Sequence, residues 1–452
     1  MHFTLDTELI KKIVGIWVLA MGSVFVFAGY IDVFETPRAE LESFTTFTWL
    51  LVSIILANTL PKGIWSICYI YFIVFGIFHG GLILVNSVNL ITDHDTLYQI
   101  SFWFNSNQTE NAIHMINIAF LGFGIGAMVF SKAVKTEHNV SPRDEEYNRR
   151  LYHIGGGILL VFIVLFFLVA FATGAIYSYG AYLRVVDSNP LVGIMFTYIY
   201  VFISLALVLV AVAHDKAFGY LYFAFFAVWA LFAFKLGLRG EVMFPSAVTA
   251  CMLGRKGRVM NGFLLLAMIV VFLVAAGIVK NARVSGTYDG GADFNPLNAV
   301  AEMGSSLRAV QEVISWREKG DDLLLGASYW APIERQFALF IPQLDRVKAE
   351  DDDRLLNVKV IKVAGPIGFS PVAEAYVNFG EKGVLIIFFL FGGLMAKLDN
   401  MSSSTKTDIL IGVALAPLFI MIRNSFAHVP VQIIFGCAFA MFFMFLAHKR
   451  KE

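Results

Sequence analysis

Charge is scarce in this chain: only 15% of its 452 residues are charged, while 58% are hydrophobic. A soluble protein of this length carries more charge and shorter apolar runs. The charges that exist balance, 34 basic against 34 acidic, so bulk electrostatics give no reason to expect a nucleic-acid partner. Cysteine is equally sparse. The three, Cys68, Cys251 and Cys437, all sit in apolar segments and suggest neither a disulfide framework nor a metal site. There is no Walker loop, no GxGxxG opening a helix and no HExxH, so ATP, NAD and zincin chemistry find no support. Asp321-Asp322 reads as a turn, which leaves no acidic pair for a metal-dependent transferase. No cofactor and no metal are expected. The alternating segments of about ten residues that build a transmembrane β-barrel are missing as well.

What the chain has in abundance is apolar runs of about twenty residues, each matched to the ~30 Å hydrocarbon core of a bilayer. The expected fold is therefore an all-α polytopic membrane protein embedded in membrane lipid, with about twelve spans, plus or minus two. The runs are Ile13–Ile31, Phe44–Leu60, Ile64–Val85, Ala112–Ser131, Leu151–Ala175, Leu191–Ala213, Ala217–Phe234, Val242–Leu253, Val259–Ile278, Val384–Ala396, Ile409–Ile422 and Val429–Ala447. The eighth, tenth and eleventh are short, and are expected to borrow flanking residues, tilt or dip. The first run lacks a small-residue cleavage pattern and reads as a retained helix.

Lys and Arg alternate along the loops. Basic positions follow Lys11 and Lys12 at Lys62, at Lys132 to Arg150, at Lys216, at "GRKGR" 254–258, at Lys397 and Lys406, and in the tail "HKRKE". By the positive-inside rule both termini are cytoplasmic. The chain then divides into spans one to nine (1–280), a large outer segment (281–370) and spans ten to twelve (371–452). Within the outer segment, Glu350 to Asp353 reads as a solvated turn. Trp316, Tyr329 and Trp330 offer aromatic faces that either stack on sugars or bury loops. No internal repeat is visible, which weakens transporter folds built from inverted halves.

This topology places Arg184, Arg239, Arg283 and Arg423 outside, where arginine should be scarce. A lone arginine at a helix end ordinarily snorkels to headgroups. These keep permissive or polar company: Gly237 and Gly240, Ser285 and Gly286, Asn424 and Ser425. Guanidinium forks from sequence-distant spans suit a diphosphate, which they pair bidentately at any relevant pH. In the stretch "GFSPVAEAYVNFGEKG" (368–383), Ser370 followed by Pro371 is a helix start. Glu374 then falls near the first turn, as a dipole-favoured acid or as a general base, and shares a face with Val377 and Asn378. His428 is a helix-end hydrogen-bonder or a proton shuttle, and His79 a satisfied intramembrane polar group.

Taken together, "KLGLRGE", "NARVSG", the large outer segment, "GFSPVAEAYVNFGEKG" and "RNS" resemble the Wzy-type O-antigen polymerases of bacteria. The resemblance covers about Leu231 to Pro430, and the G-F-S-x-x-A-E-A-Y-x-N-F-G stretch is its most specific part. It implies a metal-independent, multi-span glycosyltransferase of the lipid-phosphosugar (GT-C) class in the bacterial inner membrane, acting at the periplasmic face. The donor and acceptor it implies are undecaprenyl-diphosphate-linked glycans, and the family usually works with a chain-length regulator protein. On this reading Arg239, Arg283 and Arg423 hold the donor diphosphate. Arg335 contacts a second diphosphate or the sugar, and Tyr376 and Asn378 belong to the substrate-binding set. Glu374, or secondarily His428, takes the acceptor proton. No second carboxylate is placed to form a covalent intermediate, so a single displacement inverts the anomeric centre. Three other readings stay open: an O-antigen ligase delivering glycan to lipid A-core, a lipid-linked oligosaccharide flippase or transporter, and a scaffold in an export complex.

Overall fold

The computed structural model describes residues 7–27, 36–90, 100, 102–132, 145–257, 296–338, 341 and 347–448. Every regular element among them is a helix. Seven stretches are long and apolar enough to cross a membrane. They are α2 (Arg38–Thr59), α3 (Ile67–Ser87), α4 (Thr109–Phe130), α5 (Glu145–Ala172), α7 (Pro190–Ala213), α14 (Pro371–Asn400) and Phe426–Ala447, which joins a short turn to α16 (Val429–Ala447). The chain is thus a multi-pass membrane protein. Helix α1 (Thr7–Phe27) covers the described part of the first expected run.

Several expected spans take another form. Val242–Leu253 lies in α9 (Arg239–Arg255) and Ile409–Ile422 in α15 (Thr405–Met421), each of 17 residues. At 1.5 Å per residue that is about 25 Å, short of the ~30 Å core. The seventh run forms α8 (Leu221–Lys235), also short. The tenth does borrow its flanks: Val384–Ala396 is the middle of the 30-residue α14. Val259–Ile278 lies outside the described residues.

The chain forms two compact units. The first comprises residues 1–137, 297–401 and 420–432. Its central contact is α4 on α14, and the sequence "GFGIG" explains why it is close. A Cβ at Gly126 would sit 1.9 Å from the Phe389 carbonyl oxygen, and one at Gly392 would sit 2.1 Å from that of Phe123. Only bare backbone fits, the small-residue solution to helix packing in lipid, where dispersion must replace the hydrophobic effect. At its far end α14 presents Asp399 to the start of α3. Its two oxygens accept the N–H groups of Ile67 at 2.8 Å and Cys68 at 2.9 Å. These are donors that helix geometry leaves unsatisfied. Asp399→Ala is expected to lower stability by about 1–2 kcal/mol, read as a reduced unfolding temperature in detergent. An unchanged temperature would mean that water caps α3 equally well.

The described part of 296–364 in this unit is helical: α10 (Pro296–Met303), α11 (Leu307–Glu318), α12 (Ala327–Phe337) and α13 (Leu356–Ala364). Helix α11 buries Leu307, Val310, Val313, Ile314 and Trp316, so Trp316 is core. The 350–353 acidic run is only partly a solvated turn. Glu350, Asp351 and Asp353 are exposed, but Asp352 is buried. It accepts from Arg354 Nε at 2.9 Å and lies 3.6 Å from Arg335, while Arg354 also binds Glu334 at 2.8 Å. Burial pushes the Asp352 carboxyl up, but the Arg354 hydrogen bonds and charge outweigh it and hold the group below its ordinary value. This network therefore contributes stability above the usual aspartate range and loses it as pH falls through the depressed value.

The second unit comprises residues 138–296, 402–419 and 433–452. It holds α5, α6 (Tyr179–Ser188), α7, α8, α9 and most of α15 and α16. Arg255 Nε donates to Asp408 Oδ1 at 2.8 Å with both side chains fully buried, and the Ser403 hydroxyl donates to the other oxygen at 2.7 Å. Asn148 and Thr405 meet nearby at 3.0 Å.

Candidate functional site

The site grows from the start of α14. Ser370 is its N-cap, with extended backbone (φ −151°, ψ 136°), and its hydroxyl oxygen accepts from the N–H of Val372 at 3.1 Å and Ala373 at 3.4 Å. Pro371 occupies the first helical position, where its missing N–H costs nothing. The cap has a second partner on α3. His79 Nδ1 lies 3.1 Å from the Phe75 carbonyl and Nε2 lies 2.8 Å from Ser370 Oγ. A carbonyl can only accept, so Nδ1 carries the proton and Nε2 accepts the Ser370 hydroxyl. His79 is the satisfied polar group that its position suggested.

One turn on, Glu374 is 1% exposed and Asn378 fully buried. Two turns on, the helix breaks at Gly380, whose φ of 69° and ψ of −164° are open only to glycine. The break frees carbonyls that the next turn would otherwise claim. Those of Val377 and Asn378 accept the N–H groups of Leu324 and Leu325, each at 3.1 Å. The stretch leading into α12 is thereby laid against the head of α14. Asn378 Oδ1 accepts from the Gly326 N–H at 2.9 Å, and its Nδ2 donates to Ser328 Oγ and to the Glu374 carbonyl, both at 2.7 Å. Ser328 donates in turn to Glu374 Oε1 at 2.7 Å, and the Phe426 N–H donates to Oε2 at 2.7 Å. Three chain segments thus converge on one carboxylate. Each oxygen accepts one bond and keeps lone-pair capacity for a further proton or donor.

Gly380→Ala is expected to cost about 1–3 kcal/mol, because an L side chain is forced into a glycine-only region. It should lower the unfolding temperature and also reduce turnover, through the displaced Leu324 and Leu325 contacts. A variant with a lower unfolding temperature but normal turnover would uncouple the break from the site.

The other expected site residues are placed as follows. Arg423 is exposed, and its carbonyl accepts the Phe369 N–H at 3.1 Å, which sets it beside the Ser370 cap. Gly368 (φ 77°) permits this approach: a Cβ there would lie 3.2 Å from that carbonyl. His428 is half-buried, in the turn whose first residue, Phe426, binds Glu374. Tyr376 is half-buried on α14. Arg335 stands at the far end of α12, where its guanidinium donates to the Val347 carbonyl at 2.6 Å and faces Asp352. Its visible role is to fasten α12 to the 347–352 stretch. Arg239 opens α9 in the second unit and is buried. Arg283 lies outside the described residues.

Ser328, the Phe426 amide and the Gly380 break were not read from the sequence. The break had a local signal in the paired glycines of "FGEKG". Ser328 and Phe426 had none, since each reaches Glu374 from about fifty residues away. Among the described residues no cluster of His, Cys, Asp or Glu could hold a metal ion.

The family model for O-antigen polysaccharide polymerase Wzy matches residues 13–451. The likeness thus reaches well beyond the Leu231–Pro430 stretch that carried the sequence resemblance. A curated relative, "Protein CapE" of Staphylococcus aureus, is 25% identical over 443 residues, covering 96% of each chain. No solved structure matches. A match over nearly the whole chain, on a multi-pass helical protein, settles its class and implies glycosyltransferase-type activity: the chain belongs to the O-antigen polysaccharide polymerase Wzy family.

Proposed function

We propose that the protein joins undecaprenyl-diphosphate-linked oligosaccharide repeat units into O-antigen or a related surface polysaccharide at the periplasmic face of the inner membrane. The observation that carries this reading is the Glu374 carboxylate, seated at the head of α14 by Ser328 and Phe426, with Arg423 beside the same cap. The alternation of basic loops supports an outward position for that end. It is also consistent with about twelve spans, plus or minus two, counting the short helices as tilted or dipping, with a periplasmic 281–370 segment between the span blocks 1–280 and 371–452 and Arg283 on the same side; a GT-C-like arrangement is what the family likeness implies.

In the proposed reaction an acceptor sugar hydroxyl attacks the donor anomeric carbon. The new glycosidic C–O bond forms as the bond to the diphosphate oxygen breaks. Glu374 takes the hydroxyl proton, with His428 the secondary candidate. Arg239, Arg283 and Arg423 neutralise the departing diphosphate as its charge develops. Asn378 holds Ser328 and so the carboxylate, while Tyr376 and Arg335 contact the glycan or a second diphosphate. One displacement, with no covalent intermediate, inverts the anomeric centre. Neither metal nor nucleotide takes part, and a chain-length regulator is the expected protein partner.

The test is reconstitution with the cognate undecaprenyl-diphosphate repeat unit, without nucleotide or metal. A ladder of products on a gel is the expected result. Intact substrate with folded protein, followed by transfer when lipid A-core is added, would replace the polymerase reading with the ligase.

A further inference from the structure

Helix α12 is amphipathic in the opposite sense to a helix of a soluble domain. Its inward side carries Ser328, Ala331 and Pro332, all buried. Its charges are tied back to the protein, Glu334 to Arg354 and Arg335 to the Val347 carbonyl. Its outward side carries the large apolar groups. Trp330 is 57% exposed and Phe337 54%, and they stand seven residues apart, on one face. Just before the helix, Leu325 is 76% exposed and held at φ 48°, a conformation that a bulky side chain rarely adopts. The bond from the Leu325 N–H to the Asn378 carbonyl holds this backbone, and the side chain is thereby turned outward as a large apolar group.

This face lies near an apolar surface on a helix long and apolar enough to cross a membrane. On the spanning part of α14, Ile386, Leu390 and Leu394 are exposed along one stripe, as expected of a lipid-facing helix. Above them Phe379 folds over Gly383, where a Cβ would lie 2.1 Å from the Phe379 Cβ. Phe379 then stacks on Tyr329 of α12, with ring centroids 6.3 Å apart and an 11° interplanar angle. Between the α14 stripe and Phe379 stands Lys382, exposed one turn before Ile386, where a lysine can lay its stem on the apolar surface and lift its ammonium to the headgroups of a membrane interface.

We infer that the outward face of α12, with Leu325 before it, lies in the membrane interface and is covered by lipid. Trp330 supplies the amphipathic ring that such interfaces favour, and the helix lies on the bilayer without crossing it. Ser328 is on the opposite face of this same helix. Lipid contact therefore fixes the element that holds the Glu374 carboxylate. The surface assignment stands whether or not Glu374 is the base.

Site-directed spin labelling of the full chain in liposomes tests this. With Cys437→Ser as background, labels at Trp330→Cys and Phe337→Cys are compared with Ile386→Cys, on the lipid-facing stripe, and Asp353→Cys, in the charged turn. The expected result is an oxygen-to-nickel-chelate accessibility ratio at 330 and 337 several-fold above that at 353 and approaching that at 386. Ratios equal to that at 353 would place the face in water and overturn the inference. Labels shielded from both reagents in native membranes, yet open to nickel chelate in liposomes, would assign the face to a protein partner and overturn it equally. The two label positions guard against one substitution disturbing the helix. Polymerase activity is not the readout, so failure here is distinct from failure of the catalytic reading.

Discussion

Replacing Glu374 with glutamine is expected to cut polymerisation by about 10²- to 10⁴-fold, the usual worth of a general base. The substitution is informative because it keeps the shape and all but one of the local hydrogen bonds, the Ser328 hydroxyl proton losing its acceptor. The amide oxygen can accept the Phe426 N–H, and the amide NH₂ can donate to Ser328 Oγ, which has room for it beside Asn378 Nδ2. The chain should therefore fold, with an unfolding temperature lowered less than in Ser328→Ala, while losing turnover. Ser328→Ala makes the complementary change. It keeps the carboxylate but leaves Glu374 Oε1 and Asn378 Nδ2 each short of a buried partner. It should lower stability as well as rate. Normal polymerisation by Glu374→Gln would reduce the carboxylate to a structural cross-link among three segments, and His428→Gln would become the variant to examine.

The other large effect is expected on removing an arginine proposed to hold the diphosphate. Arg283→Ala and Arg423→Ala are each expected to lower turnover by about 10²- to 10³-fold, as for loss of one preorganised donor at developing negative charge. Their lysine variants should remain impaired, since an ammonium restores the charge without the planar fork. Arg423 is the cleaner test of the two structurally. Its side chain is exposed, and the contact that places it, Phe369 N–H to its own carbonyl, belongs to the backbone and survives substitution. The measurement is the rate of ladder growth at saturating lipid-linked substrate. Lysine variants of all three arginines that polymerise normally would sink the diphosphate assignment.

Much of this architecture was legible because the signals were local. Ser370-Pro371 announces a helix start through rules that act over four residues, and the cap forms as those rules dictate. The pairing of Glu374 with Asn378 follows from helical periodicity. Burial of all-apolar runs is likewise a property of each run by itself, although the short ones show that apolarity fixes a helix better than it fixes a crossing. What was hidden depended on distant pieces of chain. The acidic turn conceals a buried aspartate only because Arg354 and Arg335 arrive to compensate it. Ser328 looks like any loop serine until the Gly380 break exposes carbonyls for its segment to dock on.

The interruption at Gly380 has a mechanical consequence. Below it, α14 is locked to α4 by direct backbone contact at Gly126 and Gly392. Above it, a short cap of about two turns is fastened sideways by Ser328, Gly326 and Phe426. A continuous 30-residue rod would swing its upper end by several ångströms whenever its lower part tilted to match a thicker or thinner bilayer. A jointed one absorbs that tilt at the glycine. The carboxylate then keeps station with the groups around it, so the proposed site is insulated from changes in the thickness of the membrane in which it is embedded.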